Sequence, residues 1–227
     1  MAAPVARIDA VLFDWGDTLF ASPRPAPIIV AAARERGVAM DEREAQALWD
    51  WLWAAGKTPE EHAKGRDLSP DAHRAVWTAL FARADPVVPG LSTVLYERVM
   101  DAARWTPYAD TRPTLEALRV RGVRLGIVSN HALDLRPVFA RHGLDALVDA
   151  FALSYEHGVT KPDPELFAAA CRALGVAAAN TLMVGDDPAS DGGAAAAGLQ
   201  VHLLPPGSDG PLRGLEPVVT LVDASRR

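Results

Sequence analysis

The stretch Val11-Leu12-Phe13-Asp14-Trp15-Gly16-Asp17-Thr18 decides how the rest of the chain is read. Its apolar start is short enough for a single buried strand. It empties into a turn that opens on an aspartate and carries a glycine and a second acid. The same layout returns downstream, with apolar runs at 123–128, 150–154, 181–184 and 199–204. The first of these ends at Ser129-Asn130 and the third at Gly185-Asp186-Asp187, and the last is stopped by Pro205-Pro206. Helical patterns occupy 111–121, 133–142, 164–174 and 188–197. Strands alternating with helices of this length predict an α/β fold, a Rossmann-like parallel sheet with helices on its faces.

The rhythm breaks between the first strand and the second. Over roughly 22–105 no segment reads as a strand, and helical patterns at 26–36, 41–55, 71–83 and 91–104 are separated by turns bearing Pro or Gly. Asp41 and Ser69 are the expected N-caps. Helices joined by short links predict an all-helical domain inserted into the sheet domain. The predicted division is 1–20 with 106–227 for the core and 21–105 for the insertion. Beyond Pro205 the chain is rich in Pro and Gly, with one more possible strand at 217–222.

Composition narrows the class. Of 227 residues, 49% are hydrophobic and 23% charged, as in ordinary globular proteins, and the length suits one core domain plus an insertion. The net charge of -6 argues against a nucleic-acid surface, which calls for a basic stripe, but leaves room for an anionic small molecule at a local site. A single cysteine, Cys171, excludes an intrachain disulfide, and its apolar helical context reads as core. There is no apolar run long enough to span a membrane, and the first residues lack a signal-peptide layout, so the expected location is cytoplasmic. Oligomeric state is not legible.

In an open parallel sheet, ligands gather at the carboxyl ends of the strands. Asp14 and Asp17, Ser129 and Asn130, and Asp186, Asp187 and Asp191 all fall at such ends, and Lys161 lies in a connection of the same kind. A carboxylate that attacks an anionic phosphoryl group needs a cation to bring the two together. Magnesium favours a few carboxylates, a carbonyl and waters, a set that Asp14, the Gly16 carbonyl and Asp186 can supply.

On these residues the sequence resembles the haloacid-dehalogenase-like superfamily along almost its whole length. The family's first motif, a strand followed by Asp-x-Asp-Gly-Thr-Leu, stands here as FDWGDTLF. Its second is the Ser of IVSN, its third the Lys of KPDPELF, and its fourth the acids of GDDPASDGGAAAAG. The resemblance implies that Asp14 is the nucleophile and forms an aspartyl-phosphate. It implies that Ser129 and Lys161 hold the transferring group, with Asn130 beside them as a substrate contact. It further implies that Asp14, the Gly16 carbonyl, Asp186 and Asp191 hold or orient Mg2+. The insertion matches the family's helical cap. The implied activity is hydrolysis of a small phosphorylated metabolite, without nucleic acid or membrane as partner.

One departure stands out. The family's phosphatases place an acid/base Asp two residues after the nucleophile, where this chain has Gly16; the acid comes one later, at Asp17. The site is therefore expected to work without a dedicated acid and to favour substrates with good leaving groups, with Asp17 the alternative candidate to take over proton transfer. Two other readings remain open. One is carbon–phosphorus cleavage through a lysine of the insertion, Lys57 or Lys64. The other is a phospholigand-binding homologue with weakened turnover. The intact acidic fourth motif argues against the metal-free dehalogenase branch. Within the insertion, Trp49 and Trp53 lie on one helix face and are expected to pack a bundle. Lys57, His62, Lys64 and Arg66 read as a solvated polar turn, and His131 is a residue that can face the cleft.

Overall fold

The structure, a computed structural model, describes residues 6–205 and 210–227. Its elements run in the order β1 (Ala10–Phe13), β2 (Phe20–Ala21), α1 (Pro25–Glu35), α2 (Glu42–Gly56), α3 (Pro59–His62), α4 (Pro70–Phe81), α5 (Leu91–Arg98), β3 (Thr106–Pro107), α6 (Thr111–Val120), β4 (Arg124–Ser129), α7 (Arg136–Arg141), β5 (Ala150–Leu153), α8 (Ser154–His157), α9 (Pro164–Leu174), β6 (Thr181–Gly185), β7 (Gln200–Leu203) and α10 (Glu216–Ala224). The chain forms two compact units, Met1–Ala21 with Thr106–Arg227, and Ser22–Trp105.

The first unit is built on a five-stranded sheet of order β5-β4-β1-β6-β7, parallel throughout. β1 is central, and all four of its residues are fully buried, as a strand covered on both faces must be. Alternation sends Ala10 and Leu12 to one face, where they pack with Leu166, Phe167, Ala170 and Leu174 of α9. α9 starts sharply because the Asp163 carboxylate accepts the Glu165 N–H at 2.9 Å and Pro164 sits in its first turn. After β1 the chain runs to β4 and β5 on one side, then crosses to β6 and β7 on the other. A crevice therefore opens at the carboxyl ends of β4, β1 and β6. A short antiparallel ribbon, β2 with β3, pairs Phe20 with Pro107 and Ala21 with Thr106. This ribbon joins the two ends of the insertion and was not apparent in the sequence, because each strand is only two residues long.

The second unit is all-helical. Asp41 and Glu44 form a reciprocal capping box at the start of α2, and Ser69 caps α4 by accepting the Ala72 N–H at 3.2 Å. Trp49, Trp53, Trp77 and Phe81 stack in series with ring centroids 5.4, 5.7 and 5.4 Å apart, so the tryptophans pack the bundle as expected. Arg66 departs from the solvated turn expected for it. It is buried, its guanidinium lies 4.3 Å from the Trp77 ring centroid, and it donates to the Gly56 carbonyl at 2.5 Å.

Three local expectations change. Residues 217–222, a possible strand by sequence, lie in the helix α10: Val218 and Val222 are one helical turn apart and both buried, and a proline sits in its first turn. The helix expected at 188–197 shrinks to a 3-10 turn, Asp191–Ala195. The first residues of that turn are held against the Lys161 loop, as described below. The pattern at 91–104 breaks after Arg98 and resumes as a short 3-10 turn capped by Asp101. No described helix is long and apolar enough to cross a membrane.

Candidate active site

Asp14 follows β1 directly, and its N–H donates to the Val184 carbonyl of β6 at 2.9 Å, so the first strand's pairing carries it into the crevice. The next residues close a tight turn: the N–H groups of Leu19 and Phe20 both reach the Trp15 carbonyl at 3.0 Å. Asp17 sits in this turn at φ 53°, a left-handed conformation uncommon for any residue but glycine and best tolerated by Asp and Asn. In the family pattern, that place belongs to the glycine. The inverted Gly-Asp pair has therefore kept the turn, and Asp17 stands at the glycine's position, not the acid's. Thr18, fully buried, donates from Oγ1 to Asp186 Oδ1 at 3.3 Å and so ties the turn to the end of β6.

Lys161 is the centre of the charge arrangement. Its Nζ lies 2.6 Å from Asp14 Oδ1 and 2.6 Å from Asp191 Oδ1, with 3% of its side chain exposed. Its backbone is fixed by Asn130: the amide oxygen accepts the Lys161 N–H at 2.7 Å, and the amide nitrogen donates to the Lys161 carbonyl at 2.9 Å. The Asn130 side chain is thus engaged at both ends in placing the lysine. Ser129, at the end of β4, is buried beside it in sequence.

Asp191 is wholly buried, and both of its carboxylate oxygens accept hydrogen bonds. One oxygen takes Lys161; the other accepts the N–H groups of Asp186 and Asp187, each at 3.0 Å. Two glycines make room for this. A Cβ on Gly185 would stand 2.1 Å from Asp191 Oδ2, and one on Gly193 would stand 2.4 Å from Pro162 Cβ. Gly185 is thus set by close approach to the Asp191 carboxylate, and Gly193 by close approach to Pro162 beside Lys161.

Carboxylate oxygens of Asp14, Asp186 and Asp191 lie within 4.8 Å of one another. Burial, opposed by Lys161 and reinforced by Asp191 and Asp186, pushes Asp14 up to about 7. Burial, with Asp17 and Asp191, pushes Asp186 up to about 6, against the pull of Arg213 and Lys161. Burial disfavours the Lys161 ammonium, but its two carboxylate partners outweigh that and raise it. Three acids facing one lysine leave excess negative charge, which a divalent cation would neutralise. The donor set is all hard oxygen, as Mg2+ requires, so these residues fit that ion.

His131 packs its ring edge-on to Trp15 at 5.0 Å between centroids, and its Nδ1 lies 3.1 Å from the Leu133 N–H. Burial lowers it to about 4, so it is neutral at physiological pH.

Sequence reasoning missed three residues here. In the sequence Thr18 is only part of the turn. Tyr108 is buried and pushed up to about 12 by burial and by Asp17. Arg213 is 4% exposed and donates from Nε to the Asp17 carbonyl. Neither Tyr108 nor Arg213 stands in a recognisable motif, and Arg213 lies in the Pro- and Gly-rich tail.

Residues 8–198 match the haloacid dehalogenase-like hydrolase family, a span that holds Asp14, Ser129, Lys161, Asp186 and Asp191. The chain belongs to that family. It is 31% identical over 184 residues to glyceraldehyde 3-phosphate phosphatase of Methanopyrus kandleri, covering 79% of this chain and 76% of the relative. It is 28% identical over 210 residues to ribulose-1,5-bisphosphate 5-phosphatase of Halopiger xanaduensis, covering 88% and 86%. Its fold resembles that of L-2-haloacid dehalogenase from Xanthobacter autotrophicus, with a TM-score of 0.64, 25% identity and coverage of 95% and 84%. As a haloacid dehalogenase-like hydrolase, the protein shares one scaffold with enzymes of two bond chemistries. The residues at the strand ends, not the fold, have to distinguish them.

Proposed function

We propose that this hydrolase is a magnesium-dependent phosphatase of a small phosphorylated metabolite, acting through an aspartyl-phosphate on Asp14. The observation that carries the reading is the cluster of Asp14, Asp186 and Asp191 around Lys161. A metal-free dehalogenase has no need of so much uncompensated acid, and two curated relatives are named as phosphatases. Bound Mg2+ would neutralise the approaching phosphoryl oxygens and hold Asp14 ionised. Asp14, the Gly16 carbonyl and Asp186 would hold it. Asp191, whose oxygens are occupied by Lys161 and two backbone N–H groups, is assigned to orienting that set.

Asp14 attacks phosphorus with one carboxylate oxygen, the bond to the leaving oxygen breaks, and that oxygen takes a proton from water. Water then cleaves the acyl phosphate and regenerates Asp14. Lys161 stays charged and balances the phosphoryl group, and Ser129 contributes its hydroxyl to it. Asn130 is assigned to fixing Lys161, a task for which its amide is already committed, ahead of touching substrate. The carbon–phosphorus alternative requires a neutral amine for Schiff-base formation. Of the two candidate lysines, Lys64 is paired with Glu61 at 2.6 Å and Lys57 Nζ lies 5.6 Å from the Trp53 ring centroid.

The test is a phosphoester panel with Mg2+, with chelator, and on Asp14→Asn. Turnover that needs Mg2+ and vanishes in Asp14→Asn supports the reading. Full activity in chelator, or near-wild-type turnover by Asp14→Asn, overturns it. Tight phosphate binding with no turnover across the panel would establish the binding-only homologue instead.

A further inference from the structure

Arg213 is a buried arginine outside every motif of the site, and all of its hydrogen bonds go to chain segments that frame it. Nε donates to the Asp17 carbonyl, and Nη2 donates to the Pro205 carbonyl at 2.8 Å. Its own N–H donates to Asp110 Oδ1 at 2.9 Å, while the N–H groups of Gly214 and Leu215 donate to Asp110 Oδ2 at 2.8 and 2.9 Å. The Ala109 N–H reaches the Pro211 carbonyl at 2.8 Å, so residues 211–215 are fastened to the start of α6 before the guanidinium reaches the nucleophile turn.

The peptide it grips is the one that needs holding. Asp17 is left-handed, a conformation that a residue with a side chain adopts less readily than glycine. Its N–H donates to the Phe20 carbonyl at 2.7 Å, and Arg213 takes its carbonyl, so both polar ends of the strained residue are tied. On either side of it stand the Gly16 carbonyl and the Thr18 hydroxyl that donates to Asp186. We infer that Arg213 is a positioning residue that holds the Gly16–Thr18 turn in the shape that binds the divalent cation. The inference rests on the magnesium reading above and deepens it.

Two effects of Arg213 on a bound cation oppose each other, which makes the inference decidable. Its charge repels Mg2+, so a purely electrostatic role means that removal tightens binding. Its grip orders the turn, so a positioning role means that removal weakens binding. Losing a group that orients a metal ligand typically costs about ten- to a hundredfold in affinity. The experiment is calorimetric titration of MgCl2 into the substrate-free full chain, for wild type, Arg213→Met, Arg213→Lys and Asp186→Asn, with thermal melts alongside. The expected result is binding in wild type and its loss in Asp186→Asn. A tenfold or greater rise in Kd is expected in Arg213→Met. Arg213→Lys, which keeps the charge and can still reach one carbonyl, should fall between. If Arg213→Met fails to fold, Arg213→Lys decides alone, and at least a threefold rise in Kd is required of it. Unchanged or tighter Mg2+ binding in the folded variants, with a lowered melting temperature, overturns the inference and makes Arg213 a structural clamp only. Absence of Mg2+ binding by wild type overturns the magnesium reading and this inference with it.

Discussion

Replacing Lys161 by Met removes one charge while keeping an unbranched chain that fills nearly the same space. The ammonium touches two carboxylates at 2.6 Å each, in a setting where the Asp191 side chain is fully buried and that of Asp14 is 13% exposed. Breaking a buried ion pair by deleting one partner costs about 3–5 kcal/mol, because the surviving charge is left uncompensated. Two such charges survive here, with Asp186 close by, so they cannot all stay ionised without a cation. Asp14, already pushed up to about 7 by burial despite the lysine, moves higher still and takes up a proton. That fixes the sign of the pH dependence. A carboxyl whose folded pKa lies above its unfolded value binds the extra proton in the folded state, so the variant recovers stability as pH falls through that folded pKa. Urea unfolding followed by circular dichroism, in chelator so that no metal replaces the lysine, should show a loss of about 3–5 kcal/mol near pH 8. The loss should shrink by up to about 1.4 kcal/mol for each pH unit of descent until about pH 7, below which Asp14 of the wild type takes up the same proton and the difference levels off. A loss below about 1 kcal/mol near pH 8, or one that does not change with pH, would refute the claim that Lys161 neutralises the buried acids.

Two further outcomes follow from the same geometry. Without an acid at position 16, turnover should fall steeply as leaving-group pKa rises, and the double substitution Gly16→Asp with Asp17→Gly should flatten that dependence by about a hundredfold or more on alkyl phosphates. A series of aryl and alkyl phosphates checks this, and a shallow dependence in wild type that steepens in Asp17→Asn would instead make Asp17 the acid. Gly185→Ala places a methyl 2.1 Å from Asp191 Oδ2, so it should cost about 1–3 kcal/mol in urea unfolding. Gly192→Ala, with open space around its Cβ, should stay within about 0.5 kcal/mol, and equal effects for the two would contradict the close-approach account.

Much of the molecule is legible in local sequence. Apolar runs ending in acids mark β1 and β6, and IVSN marks the end of β4, because strand burial and a polar exit are properties of a few consecutive residues. Capping residues placed α2 and α4 for the same reason. Local pattern misled at 217–222, a possible strand by sequence whose buried Val218 and Val222 lie one helical turn apart, and at 188–197, where Asp191 and Gly193 lie in a 3-10 turn held close to the Lys161 loop. The residue types of the candidate site were also legible. Their tasks were not: the double grip of Asn130 on Lys161 spans 31 residues, and the contact of Arg213 with Asp17 spans 196. A hydrogen bond between such distant segments leaves no periodicity and no motif in the sequence. It exists only once the sheet has brought the strand ends together and the tail has folded back onto α6. Sequence alone could therefore determine which side chains are available at the ends of the strands, while tertiary packing decided which of them face one another and which hold the others still.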